Sequence, residues 1–284
     1  MKIIKMMVQY SSVAFLATLS LFSCDIVKRE QVYEQPAPPD SLDLNRPARK
    51  IFLEIFTGFK CPNCPEQTKN GLDGIKAAKL ESKTIVMKMH SGFFAQPSGK
   101  IYKLDFRTIA GTALTDKFNI QGYPTGVINR KKYASSYSVS PLEWKTKISL
   151  EPVNANVDIK INKVYDLTNN SLKISVTSTL YSNMINKLNS TAYILEDSVL
   201  YWQIDNGEDI ENFVHRHVLR DEFSSPTGND LFVANANKGT KASKEFTPYT
   251  LKPEWNAKHC EVIVVITDSV TGEVLQVEKE KMIE

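Results

Sequence analysis

Cysteine is scarce in this sequence, with four in 284 residues. There is one C-x-x-C pair, no second one, and the four histidines are scattered, so a zinc site lacks two of its ligands and no metal is expected. Charge of one sign is also missing. The 35 basic and 32 acidic side chains leave a formal charge of +3. Nucleic-acid binding needs a concentrated basic face, so no nucleic-acid partner is expected. There is no fixed-period repeat and no long apolar run after residue 22. No motif asks for a cofactor.

What is present begins with Lys2 and Lys5, an almost wholly apolar stretch at 13–22, and L-F-S-C ending at Cys24. A basic start, a short apolar core and a small residue before the cut describe a secretory signal peptide over 1–23. The apolar core is too short to span a bilayer comfortably. L-F-S-C resembles a bacterial lipoprotein box, which implies that Cys24 is acylated and becomes the new N-terminus. Losing Lys2 and Lys5 with the leader takes the net charge from +3 to +1. Several acyl chains would make the membrane a partner through Cys24, since a single chain binds only marginally. Residues 24–47, with Pro36, Pro38, Pro39 and Pro47, read as a lipidated tether.

From Ile51 the pattern changes. I-F-L-E-I-F at 51–56 predicts a short apolar strand, residues 62–80 a helix weakened by Gly71 and Gly74, and T-I-V-M-K-M-H at 84–90 a second strand. Strand, helix, strand over about 40 residues makes a βαβ unit with parallel strands. A helix at 106–118 follows, then Tyr123-Pro124-Thr125 before an apolar stretch at 126–128. Ser140-Pro141-Leu142-Glu143 has the residues of a helix start. Beyond Pro152 the texture is β, with runs at 157–161, 172–180, 191–194, 199–204 and 262–267 and a hairpin signal at Asp268–Gly272. Several short strands without intervening helices suggest a sandwich.

The chemistry is concentrated at G-F-K-C-P-N-C-P-E-Q, residues 58–67. An exported protein can keep a Cys61–Cys64 disulfide. Cys61 at the strand-to-helix junction would gain thiolate character from the helix N-terminus and Lys60. Cys61 would then attack a partner's disulfide, and Cys64, one turn later and deeper, would resolve the mixed disulfide. The other reading is an inert bridge, although a loop this small stabilises little by chain entropy.

C-P-N-C after a strand, with I-Q-G-Y-P-T further on, resembles the thioredoxin-fold proteins. The resemblance covers about 100 residues. It implies that Pro124 is the cis-proline framing a substrate peptide, with Cys61 and Cys64 as the catalytic pair and the thiols or disulfides of envelope proteins as partners. Phe59-Lys60 stands where those proteins carry tryptophan, and Glu54 is one residue off the place of their buried acid. L-E-I-F-T-G-F-K-C-P-N-C-P, G-Y-P-T-G-V-I-N-R, L-E-D-S-V and F-V-H-R-H-V-L-R together resemble the outer-membrane lipoprotein family named after a twenty-eight-kilodalton outer-membrane protein. That resemblance spans nearly the whole mature chain. The implied fold class is an α/β thioredoxin-like domain at 48–150 followed by an all-β immunoglobulin-like sandwich domain at 152–284. The implied location is the outer membrane, although Asp25 after Cys24 signals inner-membrane retention in some bacteria. Two functions follow, thiol–disulfide exchange on envelope proteins, or non-enzymatic binding of a protein or glycan with the bridge static.

His90, at the end of the second strand, shares a sheet edge with Cys61 and is a candidate base; the plain alternative is a surface or capping histidine. His215 and His217 would share one face of a strand, as a polar face or, with Glu211 or Asp221, as metal ligands. Tyr193, Tyr201 and Trp202 read as sandwich core. Cys260, in an apolar run, reads as a small core residue.

Overall fold

The computed structural model describes residues 43–224 and 228–283. The leader, Cys24 and all but the end of the tether lie outside the described residues. The first half contains β1 (Ile51–Thr57), α1 (Cys64–Ala77), β2 (Thr84–His90), α2 (Ile109–Lys117), β3 (Thr125–Ile128) and α3 (Trp144–Ser149). The second contains β4 (Lys160–Asp166), β5 (Ser171–Thr179), β6 (Leu188–Glu196), β7 (Val199–Asp205), β8 (Glu208–His215), β9 (Val218–Glu222), β10 (Asn229–Phe232), β11 (Lys241–Glu245), β12 (Tyr249–Thr250), β13 (Cys260–Asp268) and β14 (Val274–Lys281).

β1 and β2 are parallel, Ile51 opposite Thr84, as the βαβ pattern predicts. The sheet does not stop with the first half. Its order is β14-β13-β6-β9-β2-β1-β3, with β10 also on β6. The junction is the parallel bridge of Lys88 in β2 with Val218 in β9. This corrects the expected fold class. The molecule is not an α/β thioredoxin-like domain followed by a separate all-β immunoglobulin-like sandwich. It is mostly β, and one sheet takes strands from both halves. Periodicity finds strands but not their partners, which is why the junction escapes the sequence.

The strands that are apolar throughout are covered on both faces, as such runs require. On β1, Ile51, Leu53 and Ile55 pack with Ile75, Trp144 and Ile148, while Phe52 and Phe56 pack with Leu114 and Phe118 of the α2 side. On β13, Ile263 and Val265 join the α2 side. Val262, Val264 and Ile266 face a smaller sheet of β4, β5, β11 and β12 through Leu172, Ile174 and Val176. The sandwich is therefore partial, since one of its layers is a section of the long sheet.

The helices are shorter than predicted at both ends. α1 starts at Cys64 rather than residue 62, with Asn63 as its cap. Gly71 is needed there, because a Cβ would stand 2.5 Å from the Trp144 ring. Thr108 caps α2, its Oγ1 accepting the Gly111 N–H at 2.9 Å. Ser140-Pro141 opens a 3-10 turn that leads into α3. The hairpin signal holds: the Asp268 carboxylate accepts the Val270 and Thr271 N–H groups between β13 and β14.

Two buried polar groups lie in the sheet, and the first ties the halves together. The Arg130 guanidinium grips the Glu54 carboxylate, Nη2 to Oε1 at 2.8 Å, and donates to the Tyr193 hydroxyl of β6 at 3.0 Å. Asn129 accepts the Phe52 N–H at 2.9 Å and donates to Glu151 at 2.7 Å. Glu54 is thus neither an exposed strand residue nor a free acid. Tyr193 is core, but Tyr201 and Trp202 belong to a different cluster, around Phe59, Tyr102 and Phe106.

Candidate functional site

β1 ends at Thr57, and the chain must turn sharply to start α1. Gly58 permits this, since a Cβ there would lie 2.6 Å from the Phe94 carbonyl carbon. The Lys60 N–H donates to that Phe94 carbonyl at 3.0 Å, and the Cys61 N–H to Gly58 O at 3.0 Å. Cys61 and Cys64 are joined as a disulfide, with Cα atoms 5.4 Å apart. Cys64, not Cys61, occupies the first helical turn. The Lys60 ammonium is directed to the Ser98 hydroxyl and lies 5.0 Å from the centre of the Phe93 ring.

Cys61 was expected to present itself to a partner and Cys64 to lie deeper. Instead each is 2% exposed. The cover is the β7–β8 hairpin. Ile204 N–H donates to Phe59 O at 2.7 Å and Asn206 N–H to Pro62 O at 3.0 Å, so β7 runs along the cysteine loop like an added strand. The Gln203 side-chain amide donates to Cys61 O at 3.2 Å and Ile204 O at 2.8 Å. Phe59, fully buried, stacks on Tyr102 at 5.5 Å and meets Tyr201 edge-on at 5.7 Å. The Tyr201 hydroxyl accepts the Leu104 N–H at 2.7 Å, and Tyr102 donates to Asp209, fastening segment 101–106 to the same hairpin.

His90 is buried in this aromatic group, 6.0 Å from the Phe59 ring and 5.2 Å from His215. It is therefore neither a surface nor a capping residue. Burial holds it well below the ordinary histidine range, and His215 adds to the effect. His215 is also buried, and that burial lowers it to about 4. His217 lies past the end of β8, with its Nδ1 3.8 Å from a Glu261 carboxylate oxygen. The two histidines do not share a strand face, and no metal-holding cluster occurs among the described residues. Cys260 is free and buried as expected, its thiol pushed up by burial to about 12.

The Tyr123–Pro124 peptide is cis. Pro124 lines its own groove of about 530 Å³ with Gln67, Tyr123 and Ser138, and neither cysteine borders it. The Tyr123 ring contacts Phe94, whose backbone supports the cysteine loop. Cys64 and His90 do come together. Both border a cleft of about 960 Å³ between α1 and the hairpin, with Lys88 in it. Sequence reasoning missed Gln203 and Lys88. The available signals were a lone amide in the aromatic run Y-W-Q-I-D and a lone cation in I-V-M-K-M.

Two of the segments that carry the family resemblance meet in space. Glu196 of L-E-D-S-V pairs with Arg220 at 2.7 Å, and Asp197 with Arg216 at 2.9 Å. Residues 111–284, more than half of the chain, match the family described as outer membrane protein Omp28. The chain belongs to that family. The outer membrane is accordingly its location, in agreement with the lipid-anchored outer-membrane localisation that the family resemblance implies. The match begins after the cysteine pair, so family membership does not speak to C-P-N-C.

Among solved structures, the chain is similar to HBP35 of Porphyromonas gingivalis, with a TM-score of 0.66 and 17% identity over 82% of this chain and 75% of that one. The likeness concerns the fold, and it extends across both halves. A domain of the outer membrane lipoprotein Omp28 from Porphyromonas gingivalis aligns at 21% identity over 45% of this chain and 89% of that one, with a TM-score of 0.31. No curated protein matches significantly. Among the described residues, no helix is long and apolar enough to cross a membrane.

Proposed function

We propose that this Omp28-family protein is a non-enzymatic binding protein, held at the outer membrane by lipid on Cys24, and that the Cys61–Cys64 bridge is a static brace. Its partner is a protein or glycan outside the tethered chain. One observation carries the reading: both cysteines are 2% exposed beneath β7. Disulfide exchange needs an attacking thiolate to reach a sulfur. Access from the hairpin side means parting Ile204 from Phe59, Asn206 from Pro62 and Gln203 from Cys61. Each such bond contributes about 0.5–1.5 kcal/mol, and the Phe59 stacking opposes the same motion. The brace fixes the loop on which the hairpin rests.

Cys64 also borders the cleft beside α1, which is the specific feature in favour of the second reading, exchange with envelope proteins. Insulin reduction by the full chain separates the two. Binding without exchange predicts turnover no faster than the uncatalysed reaction, and a Cys61→Ala/Cys64→Ala protein that still captures its partner. Turnover that disappears in Cys61→Ser with Cys64 intact would establish exchange and overturn the proposal.

A further inference from the structure

The cleft between α1 and the hairpin holds polar groups that nothing in the fold satisfies. Thr68 Oγ1, His90 Nδ1 and Asp205 Oδ1 all belong to residues bordering it, and all three atoms are buried without a partner. Thr68 is 6% and His90 3% exposed. Buried polar atoms without protein partners cost free energy, so three of them on residues that border one cleft make its wall favourable to an entering polar group.

The charges of the cleft indicate which guest. Lys69 is paired with Asp73 at 2.6 Å, and Arg216 with Asp197 at 2.9 Å. Lys88, on the sheet floor, is half-buried and forms no ion pair among the described residues. That burial lowers its ammonium to about 8, Asp197 opposing and Arg216 adding to the effect. A carboxylate beside Lys88 would compensate this loss of hydration. The same cleft is lined by the hydroxyl of Thr68, the carboxylate of Asp205 and the amide of Asn206, together with the half-buried ring of Phe213. A cation for an acid group, acceptors and donors for hydroxyls, and an aromatic face for a ring's C–H surface form a set suited to a sugar acid. The volume, about 960 Å³, exceeds what one monosaccharide needs and falls within the range of ligand sites.

We infer that this cleft binds an acidic oligosaccharide, with the carboxylate of a uronate unit held by Lys88 and its hydroxyls by Thr68 and Asp205. The inference rests on the binding function proposed above and names its ligand class.

The test is calorimetric titration of the full chain, in detergent, with digalacturonate. The expected result is saturable binding, weakened at least tenfold in Lys88→Met and in Thr68→Val and not competed by maltose. Both variants conserve bulk, and their unfolding midpoints are read alongside; if one does not fold, the other decides. No saturable binding, binding unchanged in the folded variants, equal competition by maltose, or tighter binding of an acidic dipeptide would each overturn the inference. Insulin turnover on the same samples separates the two failures. An inert bridge without digalacturonate binding removes this ligand class alone, whereas rapid turnover removes the binding-protein reading.

Discussion

Replacing Glu54 with Gln removes the negative half of a pair that lies in the middle of the sheet. The side chains of Arg130 and Glu54 are 2% and 0% exposed. Burial by itself would push the Arg130 guanidinium down, but Glu54 and Tyr193 outweigh it and hold it above its usual range. With Glu54 gone that support is lost, but a guanidinium stays protonated in proteins on its own basicity, so Arg130 cannot escape by shedding its proton. Stranding one member of a buried ion pair costs about 3–5 kcal/mol. At this chain length each kcal/mol is worth roughly 2–4 °C in Tm, so Glu54→Gln should melt roughly 6–20 °C below wild type. Circular dichroism at 218 nm with thermal and urea unfolding measures this. The double variant Glu54→Leu/Arg130→Met removes both charges and should recover most of the loss, because an apolar replacement avoids the desolvation of both ions. A Glu54→Gln protein within about 1 kcal/mol of wild type, or a double variant worse than either single, would refute the reasoning.

Gly58→Ala should destabilise by about 2 kcal/mol or more, a steric effect of the kind seen on overpacking, since its Cβ would meet the Phe94 backbone; an unchanged urea midpoint would count against the tight turn. Gln203→Leu removes one of the two donors to the Cys61 carbonyl, leaving the Cys64 N–H at 3.3 Å, and frees the hairpin from the cysteine loop, so reduction of the bridge by dithiothreitol should be several-fold faster; an unaltered rate would mean that Gln203 does not guard the disulfide. His90 and His215 are neutral in the fold, with pKa values below the value of about 6.5 of the unfolded chain. The unfolded state then binds more protons, and stability falls as pH drops from about 6.5 toward 4, with His215 alone contributing roughly 3 kcal/mol. A Tm independent of pH between 7 and 5 would contradict this. Cys260, raised to about 12 and buried, should resist iodoacetamide at pH 8 until the chain is unfolded.

Local features of the fold were readable from residues alone. The apolar run 51–56, the alternation in 172–180 and the Asp268–Gly272 turn each carry their structure in their own periodicity or turn chemistry. What was not readable depends on contacts between distant segments. The bridge of Lys88 with Val218 turns two expected domains into one sheet, yet neither residue advertises it. The cysteine pair shows the same limit. Its spacing and its place at a helix start suggested an exposed nucleophile, but exposure is decided by β7, some 140 residues later. The family motifs were legible as a resemblance. Their physical role, a set of ion pairs joining 196–197 to 216–220, needed the structure.

The most direct test of the account is a glutathione redox titration of the native full chain, with Cys61 and Cys64 trapped and followed by mass shift. A static brace predicts a midpoint below about −300 mV. A midpoint between about −120 and −270 mV would place the pair among exchange proteins and contradict the static bridge.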